Sequence, residues 1–169
     1  MKIIKKTLDR ILESLMYVIL ISMVLITLWQ VVSRAILKNP ASFTTEFLRY
    51  ALLWLALLAA AYAFGKKAHL SILFVKDKLN GNTLRILNLF TESIILFFSF
   101  TVLIYGGSKG VIQGMAEKSS TLPIEMGYVY IVFPLSGTFI ILYCLIHLLD
   151  LFKIDKTITK ENKVQNTTM

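Results

Sequence analysis

Four long runs of this chain contain no charged side chain and consist mainly of aliphatic and aromatic residues. They lie at 14–33, 50–65, 93–108 and 126–149. A helix that crosses the hydrocarbon core of a bilayer needs about 20 predominantly apolar residues. The first and fourth runs reach this length alone, whereas the second and third reach it only if their helices extend into polar flanking residues.

These runs predict an all-α membrane protein with four transmembrane helices in one membrane domain over residues 1–155. The predicted spans are about 14–33, 46–65, 86–108 and 126–149. A polar cytoplasmic tail is predicted over 156–169, and we expect it to be disordered from Thr157 onward.

The composition argues against the soluble classes of protein. Apolar residues make up 56% of the 169 residues, charged residues make up 17%, and the mean hydropathy is +0.70. Soluble domains carry about 25% charged residues, and a soluble protein of this size leaves much of its surface exposed to water. A soluble enzyme and a nucleic-acid-binding protein are therefore excluded, and we expect no nucleic acid among the partners.

Lysine and arginine are distributed unevenly among the segments that connect the runs. The N-terminal segment, the middle connection and the C-terminal tail together carry 13 of the 18 basic residues. Basic residues accumulate on the cytoplasmic side of membrane proteins. The distribution predicts an N-in/C-in topology, with both termini and the middle connection in the cytoplasm.

Short amphipathic helices are predicted at the membrane surface. Near the N-terminus, apolar residues recur at helical spacing and the intervening positions include Lys2, Lys5, Lys6 and Arg10. A basic amphipathic helix suits an anionic inner leaflet, although the same segment also fits the first turns of the first span. A second amphipathic stretch begins at Leu70 in the middle connection. Membrane lipids are therefore expected partners.

Residues that carry chemistry are sparse. Cys144 is the single cysteine, and His69 and His147 are far apart in the sequence. We find no nucleophile–base constellation, no phosphate-binding glycine loop and no metal-ligand motif, and no charged residue lies in the middle of a run. We expect no catalytic residue, no cofactor, no metal site and no ion-coupling site within this chain.

Polar residues at the start of the second span are candidate interface or structural residues. Glu46 and Arg49 are three residues apart, so on a helix they share a face and are predicted to pair. Two interpretations stay open. The pair is either an acid that stabilises the helix N-terminus beside a snorkelling arginine, or a polar clasp to another subunit.

Two further residues are predicted to shape the helix bundle. Glu92 lies near one end of the third span and is expected to have a structural role between helices, neutralised by Lys66, Lys67 or His69. Pro134 lies near one end of the fourth span and predicts a kink there.

Faces of small residues are predicted on two spans. One face is formed by Ala56, Ala59, Ala60 and Ala63, and the other by Gly106, Gly110 and Gly114. Such faces let helix backbones approach closely in a membrane. They are expected to pack either within the four-helix unit or against a different membrane protein.

Two segments resemble a known family. The segment ASFTTEFLRYALLWLALLAAAYAFGKKAHLSI resembles the pattern of the small membrane subunit of tripartite ATP-independent periplasmic (TRAP) transporters. The matching positions are Glu46, Arg49, Tyr50, Trp54, Lys66, Lys67 and His69. The segment TLPIEMGYVYIVFPLSGTFIILYCLIHLL resembles the fourth span of that subunit, and it matches at Pro123, Tyr130, Pro134 and Gly137.

The resemblance implies a non-catalytic subunit in a bacterial inner membrane. In this family a large membrane subunit carries the substrate and sodium sites and moves as an elevator, and a periplasmic binding protein delivers an organic acid such as a dicarboxylate or a sialic acid. The small subunit is then a scaffold for the large subunit, and its outer loops contact the binding protein transiently. The interface or structural residues are predicted to be Glu46, Arg49, Tyr50, Trp54, Ala56, Ala60, His69, Glu92 and Pro134.

An alternative from another class is a self-sufficient small exporter or channel formed by oligomerisation. Small exporters of this kind need a carboxylate buried in the membrane. Glu92 is the single candidate for it, and it lies too near one edge of its span.

Overall fold

The structure is a computed structural model that describes the backbone of residues 2–36, 42–66 and 81–165, and the side chains of 3–36, 43–66, 86–87 and 89–149. Four of its helices are long and apolar enough to cross a membrane: Ile3–Ile36, Phe43–Gly65, Leu89–Gly114 and Met126–Leu149. The predicted all-α class with four membrane-spanning helices is confirmed. The amphipathic stretch predicted from Leu70 lies outside the described residues.

The helices are longer than the charge-free runs. The elements are α1 (Lys2–Ile36), α2 (Ser42–Gly65), α3 (Gly81–Phe98), a π-helical segment (Ser99–Gly106), α4 (Gly107–Gly114), α5 (Met126–Tyr130) and α6 (Val132–Gln165). The basic N-terminal segment is part of α1 and not a separate helix. The disorder expected from Thr157 is wrong for the backbone up to Gln165, since no glycine or proline interrupts α6 in this stretch.

The fourth span is interrupted near its start. The regular hydrogen bonding of the helix is interrupted at Ile131, between α5 and α6, although Ile131 keeps helical backbone angles, and Pro134 lies in the first turn of α6. A proline has no backbone N–H to donate to the carbonyl four residues earlier, here that of Tyr130, and it is tolerated in the first turn of a helix. The structure thus places a local irregularity three residues before Pro134, and the kink there stays a prediction.

The fourth span lies at the centre of the bundle. Its apolar window is 39% buried, against 6% for the first span. Helix α2 packs between α1 and α6, and the π-helical segment packs on α6. The buried core consists of Leu12, Leu58, Ala61, Leu103, Val132, Ile140, Tyr143 and Cys144. The many exposed leucine, isoleucine and phenylalanine side chains on the outer faces fit a lipid environment.

Glycines bring the third and fourth spans into close backbone contact. A Cβ atom at Gly107 would lie 2.7 Å from Phe133 Cβ, and one at Gly137 would lie 2.8 Å from Leu103 Cβ. A Cβ atom at Gly114 would lie 2.8 Å from the backbone nitrogen of Gly127. We call Gly107, Gly114, Gly127 and Gly137 the glycine seam.

The seam differs from the glycine face predicted from the sequence. Gly114 belongs to the seam, but a Cβ atom at Gly110 would have no neighbour within 4 Å, and one at Gly106 would meet only the carbonyl oxygen of Thr101 at 3.6 Å. A spacing of four residues rotates around an α-helix by about 40° per step, whereas a spacing of seven drifts by about 20°. The seven-residue pair Gly107 and Gly114 therefore stays on one face better than the predicted four-residue repeat.

Candidate functional sites at the two ends of the bundle

A carboxylate at the start of α2 holds the loop 115–125. The hydroxyl group of Tyr50 donates to Glu46 Oε1 at 2.6 Å, and the backbone N–H groups of Ser120 and Thr121 donate to Glu46 at 3.2 and 2.8 Å. The Thr121 hydroxyl group donates to the same carboxylate. Glu46 thus anchors a loop that lies about 75 residues further along the chain.

Aromatic residues at four-residue spacing extend this contact along one face of α2. Tyr50 Oη lies 3.3 Å from Ser119 Oγ and 3.1 Å from Met126 Sδ. Trp54 Nε1 donates to the carbonyl oxygen of Val129 at 3.0 Å. This carbonyl belongs to the last turn of α5, where carbonyl groups lack partners within the helix. We call Glu46, Tyr50 and Trp54, with the loop 115–125, the loop clasp.

The loop itself is compact. Lys118 and Glu125 form an antiparallel bridge, Ser119 N–H donates to Ile124 O at 3.0 Å, and Met126 N–H donates to Glu117 O at 2.9 Å. A loop closed by its own backbone hydrogen bonds can present a defined surface at this end of the bundle. The loop clasp fixes that surface to α2.

The predicted pairing of Glu46 with Arg49 is wrong. Glu46 is bonded to Tyr50, Ser120 and Thr121, and no ion pair joins it to Arg49 in the part of the chain that the structure describes. On a helix, the side chains three and four residues after an acid can both reach its carboxylate. Here Tyr50, four residues after Glu46, makes the hydrogen bond, and Arg49, three residues after it, does not. Arg49 is exposed on the surface of α2.

The first prediction concerns the loop clasp. In Glu46→Ala, the amides of Ser120 and Thr121 lose their acceptor, so we expect their hydrogen exchange to accelerate by at least about tenfold. Hydrogen–deuterium exchange by mass spectrometry on the detergent-solubilised chain measures this. Glu117→Ala removes an exposed acid from the same loop and is the matched control. Unchanged protection in Glu46→Ala, or an equal loss in the control, contradicts the clasp.

A second polar cluster ties α1, α2 and α6 together at the other end of the bundle. Tyr143 Oη donates to Asp9 Oδ1 at 2.6 Å, and Lys66 Nζ lies 3.1 Å from Asp9 Oδ2. Tyr62 Oη donates to Glu13 Oε1 at 2.5 Å. The hydrogen bond that Lys66 donates to the Asp9 carboxylate raises the pKa of Lys66 above its ordinary value, so the ammonium group stays charged. Both acids of α1 are thereby bonded to α2 or α6.

Glu92 contacts His147, a residue for which the sequence pattern indicates no role. Its Oε1 atom lies 3.0 Å from Nδ1 of His147, which is 3% exposed, so the contact joins the third and fourth spans. Lys66, one of the predicted partners of Glu92, is bonded to Asp9 instead. Lys67 and His69, the other predicted partners, lie outside the described residues.

The predicted alanine face lies on the outside of the bundle. Ala56, Ala59, Ala60 and Ala63 are all exposed, whereas the neighbouring Ala61 is fully buried. The interpretation that this face packs within the four-helix unit is therefore wrong. Arg49 and Leu52 lie on the same side of α2 by helical spacing, and both are exposed.

The two end clusters join helices to one another and to a loop. Within the described residues, no group of three or more His, Cys, Asp or Glu side chains is arranged to hold a metal ion. The contacts that these clusters make fix the helix ends and hold the loop 115–125.

Comparison with known proteins agrees with this architecture. Residues 23–154 match the family described as "Tripartite ATP-independent periplasmic transporters, DctQ component". The chain belongs to this family. The DctQ component is a transporter permease component, and the matched region includes the second, third and fourth spans and the part of the first span from residue 23 onward.

Two individual relatives are described as small permease proteins of TRAP transporters. This DctQ component is 23% identical over 154 residues to "Sialic acid TRAP transporter small permease protein SiaQ" of Vibrio cholerae serotype O1, covering 91% of this chain and 88% of the relative. It is 30% identical over 95 residues to a TRAP transporter small permease protein of Haemophilus influenzae, covering 56% of this chain and 59% of that relative.

Proposed function

We propose that this DctQ component is the non-catalytic small membrane subunit of a TRAP-type secondary transporter in a bacterial inner membrane. It scaffolds a large elevator subunit during sodium-driven uptake of an organic acid that a periplasmic binding protein delivers. The substrate is a sialic acid, a dicarboxylate or a related acid, and the name of the Vibrio cholerae relative supports the first of these.

The exposed face of α2 is the observation that carries the scaffold proposal. Its members are Arg49, Leu52, Ala56, Ala59, Ala60 and Ala63. The other polar side chains of α2 near Arg49, namely Glu46 and Tyr50, are bonded within the chain, so Arg49 is the charged group that this face presents outward. Small residues allow a second helix to approach closely, and an arginine beside them adds a polar contact. A face of small residues beside an arginine is better suited to contact a helix of the large subunit than to contact lipid tails.

The orientation assigns a role to the loop clasp. With both termini in the cytoplasm, the loop 115–125 faces the periplasm, where the binding protein arrives. A loop anchored by Glu46 presents the same surface at every encounter, which lowers the entropy lost on docking. The contact with the binding protein is transient and involves the outer loops.

The second prediction tests the α2 face. We expect Arg49→Ala to weaken co-purification of the large subunit by several-fold to about tenfold, because a polar contact between membrane helices is lost. Ala60→Leu is expected to do the same by bulk, and uptake of the organic acid falls with both. The isolated chain keeps its thermal stability, since both residues are exposed.

Arg34→Ala is the matched control, since Arg34 is also exposed and lies in the last turn of α1. Wild-type recovery of the large subunit together with wild-type uptake in both α2 variants contradicts the proposal. Transport by the purified chain alone in reconstituted vesicles would support the self-sufficient exporter instead.

A further inference from the structure

We propose that the N-terminal part of α1 carries a binding site for the headgroup of an anionic phospholipid, with Lys6 and Arg10 as the phosphate-binding residues. The site is an exposed face of α1, which we call the N-terminal face. The described residues that line it are Ile3, Lys6, Thr7, Arg10, Ile11, Ser14 and Leu15. These positions recur at three- and four-residue spacing and form one face of α1. The proposal stands apart from the scaffold function.

The charge on this face is not neutralised by any side chain that the structure describes. Asp9 and Glu13 belong to the same part of α1, but Asp9 is bonded to Lys66 and Tyr143, and Glu13 to Tyr62. Neither Lys6 nor Arg10 forms an ion pair with any residue that the structure describes, and both are exposed. The acids therefore face the bundle while two cations face outward, one turn apart. A phosphate group is the complementary anion, and arginine and lysine both bind it.

The depth of the two cations matches that of lipid headgroups. The uncharged part of α1 begins at Ser14, and 20 residues from there span about 30 Å, the thickness of the hydrocarbon core. Arg10 then lies about 6 Å beyond the core boundary and Lys6 about 12 Å beyond it. The headgroup layer is about 5–8 Å thick on each side, and a lysine side chain is long enough to reach back into it.

The apolar members of the N-terminal face that lie nearest the membrane favour a lipid over a soluble anion. Ile11 is 44% exposed and Leu15 is 36% exposed in the chain alone. Large aliphatic side chains next to two cations suit a ligand that has both acyl chains and a phosphate group.

The experiment is a lipid titration of the purified full-length chain, followed by native mass spectrometry. Phosphatidylglycerol, phosphatidylcholine and inorganic phosphate are the three probes. We expect the wild-type chain to bind phosphatidylglycerol in preference to phosphatidylcholine and to bind inorganic phosphate weakly. In the double variant Lys6→Gln/Arg10→Gln, we expect phosphatidylglycerol binding to weaken by about tenfold to thirtyfold.

Two control variants separate a site from a general effect of charge. Arg34→Gln/Lys118→Gln removes one arginine and one lysine, both exposed, from other parts of the chain, and should keep the preference. The exchange Lys6→Arg/Arg10→Lys keeps both charges and should keep it too. Circular dichroism verifies that every variant is folded.

Three outcomes overturn the proposal. The first is equal phosphatidylglycerol binding by the wild type and by Lys6→Gln/Arg10→Gln. The second is an equal loss in the Arg34→Gln/Lys118→Gln control. The third is equal binding of phosphatidylglycerol and phosphatidylcholine by the wild-type chain, which would show no preference for an anionic headgroup. None of these results depends on the α2 face, so the scaffold proposal is tested separately.

Discussion

Tyr143→Ala is expected to destabilise the protein by about 3 kcal/mol, the largest loss among the predicted single substitutions. The side chain of Tyr143 is 1% exposed in the middle of the core, and its hydroxyl group donates to Asp9 at 2.6 Å. Its removal leaves a cavity beside α2 and an aspartate without one of its donors. Thermal unfolding in detergent, followed by circular dichroism, measures the loss.

Two comparisons make this prediction specific. Tyr143→Phe keeps the ring and loses only the hydroxyl group, so it should cost about 1–2 kcal/mol. Tyr17→Ala removes a ring that is 64% exposed and should change stability little. An equal effect of Tyr17→Ala and Tyr143→Ala would contradict the core position of Tyr143.

The close approach of Gly65 offers a further check on the same contact. A Cβ atom at Gly65 would lie 2.5 Å from the ring of Tyr143. Gly65→Ala should therefore destabilise the wild type but be tolerated in the Tyr143→Ala background, where the ring is absent. Such non-additivity is expected of two residues in contact. Additive effects would show that the two side chains do not share this space.

Gly107→Ala and Gly110→Ala are expected to change stability in opposite directions. At Gly107, a methyl group would lie 2.7 Å from Phe133 Cβ, and we expect overpacking to cost about 1–3 kcal/mol. At Gly110, the methyl group would meet no atom within 4 Å, so the better helix propensity of alanine should stabilise the chain by up to about 1 kcal/mol. Thermal unfolding of both variants measures the two changes.

Gly137→Ala probes the same seam from the fourth span and should behave as Gly107→Ala does, since its methyl group would lie 2.8 Å from Leu103 Cβ. If Gly107→Ala proves neutral or Gly110→Ala proves as harmful, the third and fourth spans do not meet along the glycine seam. The pair is a sharp test because both glycines lie in the same helix, α4, three residues apart.

In α2, some contacts are predictable from the sequence and others are not. Glu46, Tyr50 and Trp54 match a family pattern, and all three make contacts within the chain. The predicted partner of Glu46 was wrong, because Ser120 and Thr121 lie about 75 residues away and no local spacing indicates them. The position of the alanine face was also undetermined, since periodicity shows that residues share a face but not what that face contacts.

Local properties of the sequence were enough to establish the class of protein. A charge-free run that is long enough to cross the bilayer can be recognised within its own segment. The helix it forms also needs no other segment for its backbone hydrogen bonds, because every peptide group in the bilayer core is bonded within its own helix. The four spans and the family assignment follow from such segments and need no contact between them.

Contacts between distant segments were decided by the tertiary structure. The bond from the loop to Glu46, the pairing of Glu92 with His147, the choice of Gly107 over Gly110 and the outward position of Ala60 all depend on the rotation of each helix about its axis. Packing among all the helices at once sets that rotation. Rotating a helix by tens of degrees about its axis breaks no backbone hydrogen bond within the helix, but it changes the neighbours of every side chain on it.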